Sequence, residues 1–343
     1  MAACGGEQVA PTPTFTPRPT PTFTPRSTEL PLVPTLVLPG TEEQPLKIAI
    51  IGETDAAVNR AIRDAAEGLT DEMRNYRIGY YEGLQLEIEL IDDVEQALTL
   101  LCNSTDTAVF VDVLTYITAE RRCGAQPAFQ VQRDGATASN FELVVFRQRV
   151  FDMTGMVGRK FCTMNIKDLT GFVHPALAFQ AVGIDPFTDF EEIVIGFESE
   201  AEMVLAMTGR YEPGSVPRCD GAAIPAGTFS DIETELLDVD REQSLTEGQF
   251  SVVSLLEPAE NEQWQAIPYE ILVFPPDRLY EPHLRVEVTR AIQAVEEDDG
   301  QAKSDLQDLV PHEALIPVEA SDYDTFRAWL ERTGWNMGAS ATN

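Results

Sequence analysis

Five cysteines and three histidines are the residues of this chain with the sharpest chemistry, and their spacing limits what they can do. Cys4 stands apart near the start, while Cys102, Cys123, Cys162 and Cys219 are spread through the body. None of them forms a CxxC pair, and no His stands near one at zinc-ligand spacing. His283 and His312 lack Cys or His companions at metal spacing, and His174, ahead of Pro175, reads as a structural residue. No GxSxG, GxGxxG, GxxxxGK or HExxH run occurs. Asp and Glu together number 57, so a close acidic pair arises by chance and does not indicate glycosidase chemistry. None of these patterns supports catalysis, and the expectation is a protein that is not an enzyme and uses no metal or cofactor.

The cysteines carry a different message when read with their surroundings. Cys4 lies in Ala-Ala-Cys-Gly-Gly, and the octapeptide PTPTFTPR follows at residues 11–18 and again, unchanged, at 19–26. Residues 8–45 hold ten of the chain's 23 prolines. Proline fixes φ and has no N–H, so this stretch builds neither helix nor sheet. It favours extended polyproline II, reaching on the order of 100 Å if fully extended. AACGG resembles the processed end of a bacterial lipoprotein signal, in which small residues precede a Cys that is acylated. The apolar segment of such a signal does not appear, which reads as a trimmed start or a start assigned too late. Lipid on Cys4 followed by a stiff spacer is a device for holding a domain off a membrane, outside the cytoplasm. The competing reading is a disordered tail without a role. In an exported chain the remaining four cysteines suggest two disulfides rather than buried free thiols. Of three possible pairings, chain order favours Cys102–Cys123 and Cys162–Cys219. The first two cysteines each end a helix, and the other two lie at or just before two strands.

The rest of the composition sets bounds. A chain of 343 residues accommodates two domains of ordinary size. The formal charge of −33 repels nucleic acid and anionic lipid, so nucleic acid is not an expected partner, and the bland reading of this acidity is a solvated shell. The body begins at Leu46. LKIAIIG (46–52) is a continuous apolar run that reads as a strand buried on both faces. Val58, Ile62, Ala65, Leu69 and Met73 recur at helical spacing. Residues 84–92 alternate and read as an edge strand, with Asp93 capping the helix that follows. TAVFVDV (107–113), a short helix and AFQVQ continue the alternation. A second alternating unit opens with FELVVF (141–146) and includes strands near 158–165, 191–197 and 219–227, with helices near 171–184 and 199–207. The chain then returns through IPYEILVFPP (267–276) to helices at 281–297 and near 322–333. Strand–helix alternation implies parallel sheets flanked by helices. Two such units, with the chain crossing over and back, predict two lobes around a cleft.

The segments GIDPFTDFEEIVIGFESEAEMVLAM (183–207), CDGAAIPAGTF (219–229), IPYEILVFPPD (267–277) and EASDYDTFRAWLERTG (319–334), in that order, resemble the phosphonate/phosphite/phosphate-type solute-binding proteins of ABC importers. The resemblance runs from about Leu46 to Gly334. It implies the type II periplasmic-binding fold, an α/β architecture of two lobes, each a mainly parallel sheet flanked by helices. It implies residues 1–45 as anchor and spacer, 46–138 plus 268–343 as the first lobe and 139–267 as the second, with hinges near Ser139–Phe141 and Ile267–Glu270. It further implies a monomer that captures a small ligand, of phosphonate or phosphate type, and hands it to an ABC permease. A sensory or surface-interaction protein keeping the fold with a diverged pocket is the alternative.

The resemblance also implies the site. In the family a hydroxyl-rich turn ending in Gly grips the oxyanion with backbone N–H groups at a helix start. The matching run is Asp168-Leu169-Thr170-Gly171-Phe172, in which only Thr170 retains a hydroxyl. Asp168 or Thr170 could equally cap the helix. Ser199 stands about where the family has a His, flanked by Glu198 and Glu200. Asp220 falls where the family has an acidic residue that can meet an amine, so a cationic or neutral ligand is also open. From the first lobe, Thr54, Thr115 and Tyr116 follow strands and are expected at the cleft, although Tyr116 could instead pack inward.

Overall fold

The computed structural model describes residues 38–334 apart from 54, 75–76, 79–80, 147–149, 151, 209–217, 239–249, 254–265 and 299. Cys4, the doubled octapeptide and Thr54 lie outside the described residues. The chain runs through β1 (Leu46–Ile51), α1 (Ala56–Met73), the short hairpin β2 (Arg77–Ile78) and β3 (Tyr81–Glu82), β4 (Leu86–Ile91), α2 (Val94–Asn103), β5 (Thr107–Val111), α3 (Val113–Cys123) and β6 (Gln126–Gln132). It then crosses through β7 (Ala138–Ser139) into β8 (Phe141–Phe146), β9 (Lys160–Cys162), a π-helical turn (Leu169–Val173) that runs into α4 (His174–Ala181), α5 (Pro186–Asp189), β10 (Glu192–Val194), α6 (Glu200–Thr208), β11 (Gly221–Pro225), α7 (Phe229–Asp238) and β12 (Phe250–Val253). It returns through β13 (Ile267–Pro268) to β14 (Ile271–Phe274), α8 (Pro282–Glu297), α9 (Gln301–Leu309), β15 (Ala314–Pro317) and α10 (Asp324–Arg332).

Among the described residues two larger sheets form, one of order β15-β6-β14-β5-β1-β4 and one of order β10-β9-β11-β8-β12, beside the two-stranded pairs β2-β3 and β13-β7. As the alternation of its side chains predicts, β4 is an edge strand. Both sheets are mixed rather than mainly parallel. β1 pairs in parallel with β4 and β5, but β14 runs against β5 and β6, and β15 against β6. In the second sheet β9 pairs in parallel with β10 and β11, and β8 runs against β11 and β12. The reason is topological. β14 and β8 are the strands the chain enters directly after crossing, so each starts at the end where its parallel neighbours finish. The crossing segments themselves pair antiparallel, Ile267 with Ser139 and Pro268 with Ala138. The carboxyl ends of both parallel sets therefore point toward this crossing.

Each sheet is covered on both faces. In the first, Ile48, Leu86, Phe110 and Phe129 pack with Leu69, Leu284 and Ile292 on one side, and Val109, Val111 and Ile271 with Leu101, Tyr116 and Trp329 on the other. In the second, Phe161 and Val145 meet Phe172 and Phe179, while Val144 and Ala222 meet Met203 and Leu236. Gly183, at φ +82°, closes the helix before it, a left-handed position that glycine adopts without penalty. Disulfides join Cys102 to Cys123 and Cys162 to Cys219, with Cα separations of 5.4 and 5.7 Å. This is the pairing that chain order favours.

One boundary moves. Residues 38–45, read from composition as the end of the spacer, belong to the folded body. Leu38 packs on the first core, the Gln85 N–H donates to the Gly40 carbonyl at 3.0 Å, and Gln44 Nε2 donates to Asp106 Oδ2 at 2.8 Å. Proline density marked the stretch as irregular, which it is. It did not reveal that an irregular segment can still be held by backbone and side-chain hydrogen bonds.

Candidate functional site

In an open α/β sheet, ligands are met at the carboxyl ends of the strands, where helix N-termini present free N–H groups. Here one or two of those N–H groups at each helix start are taken by a carboxylate of the chain itself. Asp55 Oδ1 accepts from the N–H groups of Ala57 and Val58, both at 2.8 Å, at the start of α1. Asp93 accepts from Gln96 N–H at 2.9 Å at the start of α2, as its position predicts. Asp112 accepts from Thr115 N–H at 2.9 Å and from the Thr115 hydroxyl at 2.7 Å at the start of α3.

The turn after β9 is built the same way. Asp168 Oδ1 accepts from the N–H groups of Thr170 and Gly171, each at 3.0 Å. The Asp168 carbonyl takes the Phe172 N–H at 3.0 Å and the Val173 N–H at 2.9 Å. A Cβ at Gly171 would stand 2.7 Å from Asp168 Oδ2, so glycine is what lets the carboxylate fold over the turn. Of the two roles open to this run, helix capping is the one the geometry displays. The Phe172 ring is buried beside Phe161, with centroids 6.1 Å apart. At α6 the Ser199 hydroxyl accepts from Glu202 N–H at 3.2 Å, while the exposed Glu198 donates its N–H to Glu202 Oε2 at 2.5 Å.

Two expected contacts lie elsewhere. Tyr116 is fully buried in the first lobe rather than on a cleft wall. Its hydroxyl donates to Glu120 Oε1 at 3.0 Å and accepts from an Arg327 guanidinium nitrogen at 3.1 Å, and its ring meets Tyr323 edge-on at 5.0 Å. Burial, with the Glu120 carboxylate beside it, pushes the phenol well above its ordinary pKa, so it stays protonated. Helical periodicity turns a residue four positions into α3 toward the sheet, which is why it leaves the strand end. Asp220 lies at the amino end of β11, level with the first residue of β9, whose N–H it accepts at 3.2 Å. Thr170 and Ser199 instead follow the carboxyl ends of β9 and β10. The second sheet thus holds Asp220 at the opposite end from those two residues.

What the spacing reading passed over is an apolar stripe. Leu169, Val173 and Leu177, four residues apart, pack with the first-lobe cluster that contains Val113, Ile271 and Trp329. The other face of the same helical segment, Phe172, Ala176 and Phe179, packs on the second sheet. His174 sits between the lobes, its ring 4.8 Å from Phe141 and 6.2 Å from Trp329. The i, i+4, i+8 spacing of two leucines and a valine was the available signal. Among the described residues no group of three or more His, Cys, Asp or Glu is placed to hold a metal ion.

In fold the chain is similar to XAC2383 from Xanthomonas citri, solved bound to ATP, with a TM-score of 0.58 at 13% identity over 84% of this chain and 96% of that one. It is also similar to PhnD1 from Prochlorococcus marinus, solved with methylphosphonate, with a TM-score of 0.50 at 13% identity over 84% of this chain and 98% of that one. No protein-family model matches the sequence, and no curated protein matches it. At this identity the likeness establishes architecture. The chain has the α/β fold of the two-lobed periplasmic binding proteins.

Proposed function

We propose that this chain is an extracytoplasmic solute-binding lipoprotein of an ABC importer, anchored through Cys4, which closes its lobes on a small ligand and passes it to a permease. The observation that supports this reading is the topology. Two sheets direct the carboxyl ends of their parallel strands toward one crossing pair, β7 and β13, an arrangement that suits hinge closure over a shared cleft. Its work is binding and release, with no bond made or broken. The candidate contacts are Thr54 and Thr115 from the first lobe and Thr170 and Ser199 from the second. The neighbours' ATP and methylphosphonate are both phosphorus oxyanions, so the first compounds to test are phosphate, phosphite and phosphonates, with small amines beside them.

A second reading is a ligand-sensing or surface-interaction protein that keeps this fold with a diverged pocket. The packing of Leu169, Val173 and Leu177 across to the first lobe favours it, because apolar contacts occupy part of the space a ligand would use. A thermal-shift screen separates ligand binding from a surface-interaction role. A ligand present at 100 times its dissociation constant stabilises by about 2.7 kcal/mol. A saturable shift with any small solute supports a solute-binding role, whether in import or sensing, and a screen without one supports the interaction protein. The anchor is tested independently: Cys4→Ala should move the protein from the membrane fraction to the soluble one.

A further inference from the structure

We infer that the helical segment 169–181 is an apolar latch that holds the two lobes together when no ligand is bound. Such a latch goes beyond both readings above and rests only on the two-lobed fold that they share. The segment carries two apolar stripes. Phe172, Ala176 and Phe179 anchor it to the second sheet, while Leu169, Val173 and Leu177 pack into the first-lobe cluster with Val113, Ile271 and Trp329. Leu177 and Trp329 are both fully buried, although they belong to different lobes. The buried His174 ring stands edge-on to Phe141 of β8 and to Trp329 of α10, with centroids 4.8 and 6.2 Å away. Both sides of the contact are firmly mounted. Arg327 ties α10 to α3 through Glu120, at 2.8 and 2.7 Å, and Phe326 packs beside Trp329 with centroids 5.4 Å apart. A helix fixed to one sheet therefore meets a helix fixed to the other.

Rotation at β7 and β13 that parts α4 from α10 bares Leu177, the His174 ring and part of Trp329 to water. Apolar burial opposes that exposure and needs no solute to do so. Two rigid, closely packed surfaces have few alternative fits, so the contact either holds or is lost. The docked arrangement is the resting one. The separated form is a minor population, and a solute that needs the lobes apart binds only from it.

The test uses the full chain without ligand as wild type, Leu177→Ala, Val173→Ser and Phe179→Leu, each followed by small-angle X-ray scattering and by hydrogen exchange of the α4 and α10 amides. Val173 is only half-buried, so Val173→Ser loosens the contact with little demand on the fold and keeps the test decisive if Leu177→Ala fails to fold. Phe179→Leu weakens the same helix along its second-sheet stripe and controls for a general loss of stability. The expected result for Leu177→Ala is a larger radius of gyration and exchange about tenfold faster in both helices. Val173→Ser should change both readings in the same sense and by less, and Phe179→Leu should leave the radius unchanged. A wild-type radius in every folded latch variant overturns the inference. So does faster exchange confined to α4 with α10 unaffected, or a radius that grows as much in Phe179→Leu. The solute screen judges the binding role separately, because none of these samples contains a solute.

Discussion

Asp168 and Gly171 form a pair in which each residue explains the other. The carboxylate needs the room that only glycine leaves, and the turn needs the carboxylate to satisfy two donors. Asp168→Ala should cost about 1 kcal/mol as a lost helix cap, and Gly171→Ala should destabilise further by driving the carboxylate out of place, both readable by urea melts. Tyr116 presents a different case. Arg327 reaches Glu120 through two nitrogens, at 2.8 and 2.7 Å, and the phenol joins that cluster from beneath. Tyr116→Phe removes a partner from two groups packed between α3 and α10. It should destabilise by about 1–3 kcal/mol while leaving the affinity for any ligand the screen finds unchanged. Reduced affinity at unchanged stability would return Tyr116 to the cleft.

At the scale of elements, the segment before β1 bears the clearest prediction. Truncation to residue 37 should leave the melting temperature unchanged, whereas truncation to residue 45 should lower it by removing the Gln44–Asp106 bond and the Leu38 packing. Asp106 also links this segment to pH. Burial opposes its charge, but hydrogen bonds from Ser104, Gln44 and Thr107 outweigh it and hold the carboxyl below its ordinary range. Its contribution is therefore complete above the unfolded value, about 4, and is lost as pH falls through the lower folded value. Asp106→Asn should flatten the dependence of melting temperature on pH below about 4. The order and type of most elements could be read before any coordinates, because buried strands such as LKIAII and amphipathic helices such as α1 state their periods plainly. Pairing direction could not, since it depends on where the chain re-enters a sheet. Thr54, Thr115, Thr170 and Ser199 could be singled out because each follows a strand, whereas Asp220 opens one. Whether an N–H group meets a ligand or a neighbouring Asp is decided by one side-chain rotation, which periodicity does not record.

For the whole molecule, the disulfides and the charge act in distinct ways. One disulfide bridges elements of the first lobe and one elements of the second, and neither crosses between lobes. They reinforce each lobe without restricting rotation at β7 and β13. In the chain-entropy model, a bridge spanning 21 residues contributes about 3 kcal/mol and one spanning 57 about 4 kcal/mol. Replacing each pair by serines should lower stability in that order, measured by chemical denaturation. The net charge of −33 should make the folded state more stable as salt rises, because screening relieves self-repulsion. A melting temperature that falls between low and physiological salt would show instead that specific ion pairs outweigh the repulsion.

The placement of β14 has a consequence for how the protein comes into being. β14 lies between β5 and β6, yet it is separated from them in sequence by the whole of the second lobe. As the chain emerges amino end first, β5 and β6 have no partner across that slot until residues 271–274 arrive, and each shows an unpaired edge for that time. The strands of the second sheet all lie within residues 141–253 and can complete it earlier. The later-encoded lobe is thus the first able to finish, and the first lobe spends the interval with an open slot of the kind that recruits foreign strands.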